Sequence, residues 1–293
     1  MNILRKLWND LHLFMALPAI LLFGLFFIYP LVQGIGISLT DSNGMTAPRF
    51  IGLHNFADFF HDARAKRDVY NTVFFAIGSA PLLNLFGFLY ALILDRPFKG
   101  KGFVRAVVYL PAVISPLIMG YVWYFILQPD RGFLYHLLAS LHLGTGGSDW
   151  LGNAHSALIV LVFINVWQFV GMTMIIYLAG LQSIPKELYE AGEIDGAGYL
   201  KSLWYITIPM VVQSIKINVV TNIIGSLSVF EVIIALTDGG PGYSTESLSI
   251  YILRMLYGSF TGYSTAVAMI LFAMIIIPVF IFMRYINKKE FEM

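Results

Sequence analysis

Along this chain, charged residues punctuate long neutral stretches. None falls between Asp10 and Asp41, Asp68 and Asp95, Arg105 and Asp130, Asp149 and Lys186, or Arg254 and Arg284, and Lys216 alone interrupts the stretch from Lys201 to Glu231. A helix needs about 20 mainly apolar residues to cross the hydrocarbon core, where no backbone amide can be left unpaired. The pattern therefore predicts an all-α membrane protein with six transmembrane helices, at roughly 12–38, 70–94, 104–128, 156–183, 208–236 and 264–284. Between them, residues 41–69 mix charge and aromatics and are expected to hold a short surface helix around Asn55–His61. Residues 129–153 are Gly-rich, with Gly144, Gly146 and Gly147 marking flexible turns. Residues 1–293 read as one transmembrane domain. No internal repeat stands out, so an inverted-repeat carrier gains no support.

Composition agrees with a bilayer as the main solvent. Of 293 residues, 58% are hydrophobic and 12% charged, against about a quarter charged in soluble domains. A net charge of +1 gives no reason to expect nucleic acid as a partner. Cysteine is absent, which removes disulfides, thiol nucleophiles and thiolate metal sites. The first apolar stretch follows Arg5 and Lys6 but runs too long for a cleavable signal core, and no small-residue cleavage pattern closes it.

Lys and Arg set the orientation. With the N-terminus inside, the cytoplasmic segments carry Arg5, Lys6, Arg96, Lys99, Lys101, Arg105, Lys186, Lys201, Arg284, Lys288 and Lys289. The external ones carry only Arg49, Arg64, Lys66, Arg67, Arg131 and Arg254. Both termini are expected in the cytoplasm.

The cytoplasmic segment 184–209, between spans four and five, has a pattern of its own. Pro185 stands where a first-turn proline belongs, with Ser183 or Gln182 as a candidate cap. Glu187 and Glu190 follow near the positive end of the helix dipole. Ile184, Leu188, Ala191 and Ile194 recur at helical spacing. Gly192, Gly196 and Gly198 cost about 1 kcal/mol each in a helix interior, so a sharp turn and a close backbone approach are their expected use. On residue pattern alone, an interfacial helix with a solvated acidic face is the favoured reading of the segment.

Glu190-Ala191-Gly192, three residues, Gly196, nine residues, then Ile206-Thr207-Ile208-Pro209 resembles the EAA signature of permease subunits in ATP-binding-cassette importers, Glu-Ala-Ala-x3-Gly-x9-Ile-x-Leu-Pro. Gly192 replaces the second Ala and Ile208 the Leu. A second stretch, Phe230 to Thr245 with Leu248-Ser249-Ile250-Tyr251 and Gly262-Tyr263-Ser264-Thr265-Ala266, resembles the last external loop of carbohydrate-import permeases. Leu17-Pro18, Tyr29-Pro30 and Gly52-Leu53-His54-Asn55-Phe56 are similar to the maltose and glycerol-3-phosphate permeases.

The resemblance implies a type I importer permease in the bacterial inner membrane. A coupling helix would contact an ATPase subunit through Glu190, Ala191, Gly192, Asp195, Gly196, Ile206 and Pro209, with Gly196 making the turn and Pro209 starting span five. Asp238, Gly239, Gly240 and Pro241 would abut the dock of an external solute-binding protein. The implied partners are two ATPase subunits, which hold ATP and Mg, and a second homologous permease. The chain itself has no G-x-x-x-x-G-K-[S/T] phosphate loop, and neither cofactor nor metal is assigned to it. The implied activity is uptake of a sugar or oligosaccharide by alternating access, without an ATPase site of its own.

Polar residues inside the spans usually face the bundle interior. Span four carries Asn165, Trp167, Gln168 and Thr173, and span five carries Asn218, Thr221, Asn222, Ser226, Ser228 and Glu231, followed by Phe230 among its aromatics. Amides and hydroxyls beside Trp167, Phe169 and Phe230 suit a sugar's hydroxyl rim and weakly apolar faces. Hydrogen bonding between helices is the competing use. Glu231 fits an external gate and a structural partner equally. Lys216 is expected to snorkel toward the cytoplasmic end.

Two other classes compete. An ion-coupled secondary carrier would want ionisable groups at the midplane, whereas Lys216 and Glu231 lie toward span ends. A membrane-embedded enzyme would want a motif such as H-E-x-x-H or G-x-S-x-G, neither of which occurs, and the six His are scattered.

Overall fold

The structure, a computed structural model, describes residues 15–142 and 149–290; Gly144, Gly146 and Gly147 lie outside the described residues. Every regular element among them is helical, apart from an isolated bridge between Thr40 and Phe50. Packing divides the chain into two compact units: residues up to Asp62 with Ile252–Ile270, and Ala63–Tyr251 with the chain from Leu271 onward.

In the first unit, helix α1 (Met15–Ser38) is apolar on all sides and exposes nearly all of them, as a helix against lipid must. Its last carbonyls need partners. Asn55 supplies them from helix α2 (His54–His61), its Nδ2 donating to the Ser38 and Thr40 carbonyls at 2.8 Å each. The expected surface helix is therefore present, and it closes the end of α1.

The second unit opens with α3 (Ala63–Asp95), a 33-residue helix. It begins well before the expected span, so Arg64, Lys66 and Arg67 ride on its first turns rather than in a loop. Next come α4 (Lys101–Val113), α5 (Pro116–Leu127), α6 (Phe133–Ser140) and the long α7 (Ala154–Gln182). The span expected at 104–128 is not one straight helix: α4 and α5 meet at 98°. The cause is local. Proline restricts the residue before it to extended backbone, and Ser115, before Pro116, has φ −52° and ψ 132°.

Beyond α7 lie α8 (Lys186–Ile194), α9 (Tyr199–Met210, with a π-helical stretch at Leu203–Thr207), α10 (Val212–Leu227), α11 (Glu231–Leu236), α12 (Leu248–Tyr257) and α13 (Thr261–Glu290). The span expected at 208–236 is likewise corrected. It bends by 70° between α9 and α10, two residues after Pro209. It also leaves helical geometry at Val229 and Phe230 before restarting as α11. Among the described residues, four helices are long and apolar enough to cross a membrane singly, and counting each bent pair as one span gives six.

Helix α7 is the centre of this unit, with α3 along it and α4 and α10 on its flanks. Small residues permit the approach. A Cβ on Gly171 would collide with the Val108 backbone of α4, and one on Gly87 of α3 would lie 2.6 Å from the Thr173 methyl. Two apolar clusters result. One, around Leu161, Ile164, Val232 and Ile233, lies toward α11; the other, around Met174, Tyr177, Leu181, Ile184 and Val211, lies toward α8.

Candidate functional site

Between α3, α7 and α10 the second unit holds a cavity of about 430 Å³. Thr173 is the hub of its polar wall: its carbonyl accepts from Asn218 Nδ2 at 3.2 Å, and its hydroxyl pairs with the Asn222 amide. Asn165, Thr221, Ser226, Ser228 and Glu231 complete the polar lining, and Leu83, Phe169, Met172 and Val229 are among the apolar residues. Asn218 and Ser226 are buried, and each keeps a side-chain oxygen that no hydrogen bond satisfies. A buried acceptor without a partner costs about 1–3 kcal/mol.

On the cytoplasmic side, α8 ends in a turn whose chemistry follows from its glycine. Asp195 is the C-cap and Gly196 has φ +75°. The Ala197 amide reaches back to the Gly192 carbonyl at 2.8 Å, and the Gly196 amide reaches the Glu193 carbonyl at 3.0 Å. These two bonds define a Schellman motif, for which glycine is favoured at the left-handed position. Ile206 Cδ1 lies 2.8 Å from where a Gly192 Cβ would stand, so the departure from Ala at 192 leaves room that Ile206 takes. The hydroxyls of Tyr189 and Thr207 meet at 3.1 Å and tie α8 to α9. The Arg96 guanidinium lies 5.0 Å from the Tyr199 ring centre.

The outward face of this segment is bare. Glu187, Glu190, Ala191, Glu193 and Asp195 are exposed, and Ile194 is 87% exposed. Of the expected apolar stripe only Ile184 is buried in the chain. The expected cap is absent: Pro185 precedes the helix without a side-chain cap, and Ser183 Oγ donates instead to the Gly180 carbonyl.

At the other end, residues 237–247 are strapped to α3. Arg64 makes a two-pronged pair with the buried Glu246 carboxylate, Nε–Oε2 2.7 Å and Nη2–Oε1 2.9 Å, and its guanidinium stacks 3.8 Å from the Tyr243 ring centre. Asn71 Nδ2 donates to the Glu246 carbonyl, and Thr72 Oγ1 accepts from the Leu248 amide. Asp238 and Gly239 take positive φ, and Thr245 Oγ1 closes the turn by donating to the Gly240 carbonyl at 2.7 Å.

The sequence profile of the family described as "binding-protein-dependent transport system inner membrane component" matches residues 83–291. The chain belongs to this family. It is 32% identical to the multiple sugar-binding transport system permease MsmF of Streptococcus mutans, over 99% of this chain and 98% of that one. It is 30% identical to the sn-glycerol-3-phosphate transport system permease UgpA of Shigella flexneri, over 98% and 97%. In fold it matches a chain of the bacterial alginate ABC transporter crystallised with its alginate pentasaccharide-bound periplasmic protein, with a TM-score of 0.80 and 26% identity over 94% of each chain. The fold is that of a type I importer permease, and its place is the inner membrane.

In this permease the polar residues singled out from the spans separate into two groups. Asn165, Asn218, Asn222, Ser226, Ser228 and Glu231 line the cavity together. Trp167, Gln168 and Phe230 do not. Trp167 stacks edge-on against Trp123 at 5.4 Å, Phe230 packs against the apolar core, and the buried Gln168 donates to a backbone carbonyl of the α4–α5 break. Lys216 does not snorkel; it is buried within the chain. Pro209 sits two residues before the bend rather than at the start of α10. Thr173, named among the polar residues of span four, proves to be the hub of the wall. The Arg64–Glu246 pair was not foreseen, because no local signal joins Arg64 to Glu246.

Proposed function

We propose that this permease forms one half of the membrane path of an ATP-driven importer for sugars or oligosaccharides, and that solute passes the cavity on α7 and α10. The observation that carries the reading is continuity. The exposed acidic helix α8 is tied through Tyr189 and Thr207 to α9, α9 leads into α10, and α10 supplies Asn218, Asn222, Ser226 and Ser228 to the cavity. From Val211 at the bend to Asn218 is about 10 Å by helix rise, so a push on α8 reaches the wall through two short rigid elements.

Glu190, Ala191, Gly192, Asp195, Gly196, Ile206 and Pro209 then form the contact with an ATPase subunit, whose ATP and Mg supply the energy. Exposed carboxylates favour a basic groove on that partner. Asp238, Gly239, Gly240 and Pro241 form the external turn against which a periplasmic solute-binding protein docks, held rigid by the Arg64–Glu246 pair. A second homologous permease supplies the opposite wall. Relatives with sugar-transport names and an alginate transporter of the same fold support carbohydrate as the cargo.

Affinity purification of the tagged permease from native membranes, with mass spectrometry of what accompanies it, tests the assembly. An ABC ATPase and a second permease are expected in stoichiometric amounts. Recovery of the chain alone, or only as a homo-oligomer, contradicts the reading.

A further inference from the structure

We infer that the cavity wall selects uncharged sugars and rejects acidic ones. The inference rests on the carbohydrate-path reading and sharpens it to a substrate class. Among the residues that line the cavity, Glu231 is the ionisable one; no Lys, Arg or His joins it. Lys216, the other charged residue of this stretch, is buried and does not line the cavity. An anionic solute would therefore meet a carboxylate with no cation facing it in this wall.

Hydrogen-bonding capacity points the same way. Glu231, exposed at the wall, can only accept when ionised and so calls for donors. A neutral sugar brings hydroxyl hydrogens around its whole rim. A carboxylate or phosphate oxygen accepts only, and adds like charge. The related systems named for sn-glycerol 3-phosphate and for alginate carry anions, so the charge of the wall is a point on which members of one family can differ.

Saturation-transfer NMR on the purified permease–ATPase complex, with no binding protein present, lets the membrane wall alone select. The probes are maltose and trehalose against an alginate trisaccharide and sn-glycerol 3-phosphate. We expect transfer to the neutral pair and about tenfold weaker transfer to the acidic pair, equivalent to about 1.4 kcal/mol. Glu231→Lys should raise acidic relative to neutral signal by about tenfold or more, while Glu231→Gln, checked for intact co-purification, should narrow the gap. Acidic probes that equal or exceed the neutral ones in the unaltered complex overturn the selectivity but leave a sugar path standing. A ratio indifferent to Glu231→Lys also overturns it. Silence from all four probes removes the sugar path itself, and the selectivity with it.

Discussion

Gln168 Nε2 donates to the backbone carbonyl of Ile114 across 3.1 Å, joining the middle of α7 to the break between α4 and α5. Within a bilayer, backbone that leaves helical geometry must find its hydrogen bonds elsewhere in the protein. Pro116 causes the break, and Gln168, 54 residues from Ile114 in sequence, repairs it. The second break follows the same rule: the Val229 carbonyl, between α10 and α11, accepts from Ser247 Oγ at 2.8 Å.

Gln168→Leu should therefore leave the Ile114 carbonyl unsatisfied at a cost of roughly 1–3 kcal/mol. A lowered Tm of the detergent-purified complex measures it. Trp167→Phe, one residue away but half exposed on an aromatic stack, should shift Tm much less. Equal shifts would show that Gln168 does not secure the break.

Glu246→Ala should destabilise, because it removes the buried carboxylate that Arg64 holds; breaking a fully buried pair from one side costs about 3–5 kcal/mol, and the partial exposure of Arg64 lowers that figure here. Replacing both partners, Arg64→Met with Glu246→Met, should be milder than the single change. Limited proteolysis of the external segment reads the difference. If the double variant is cleaved faster than Glu246→Ala, the pair is not what holds residues 237–247 against α3.

Gly196→Ala should hinder the assembly of the permease with its ATPase, since a Cβ at φ +75° costs about 1–2 kcal/mol. Gly192→Ala should be tolerated: the atom in its way is the end of the Ile206 side chain, which can turn aside. Co-purification yields of the two variants distinguish these expectations. A defect at 192 as large as at 196 would contradict the assignment of the turn to Gly196.

Glu190→Ala should weaken stimulation of ATP hydrolysis by the loaded binding protein without changing that protein's affinity for solute. Glu190 is exposed on α8 and is not among the residues that line the cavity. Asn218→Leu and Asn222→Leu should do the reverse, sparing assembly and depressing transport. ATPase assays and solute-uptake assays on the same preparations separate the two classes, and overlapping phenotypes would undo the division.

Much of this architecture can be read from one sequence because charges mark where each span meets water. The apolar runs locate α1, α3, α7 and α13, and Pro185 with Gly196 brackets α8. The bends escaped because apolar content carries no direction: a run from 104 to 128 is equally apolar whether straight or folded at Ser115, and Pro111 and Pro116 were the overlooked signal. The same limit blurred the site. Asn218 and Gln168 are both amides in apolar spans, but one lines a cavity and the other serves a carbonyl on another helix, and only the fold decides which. Arg64 and Glu246, 182 residues apart, lay entirely beyond local pattern.

The central claim is that this chain moves sugar only as part of a binding-protein-dependent assembly energised by ATP. Proteoliposomes containing the permease, its companion permease and their ATPase, supplied with the binding protein and its labelled sugar, test it directly. The account predicts uptake that requires both enclosed ATP and the binding protein, and none from liposomes holding this chain alone. Uptake by the isolated chain under a proton or sodium gradient, with no ATP present, would contradict it and establish a secondary carrier.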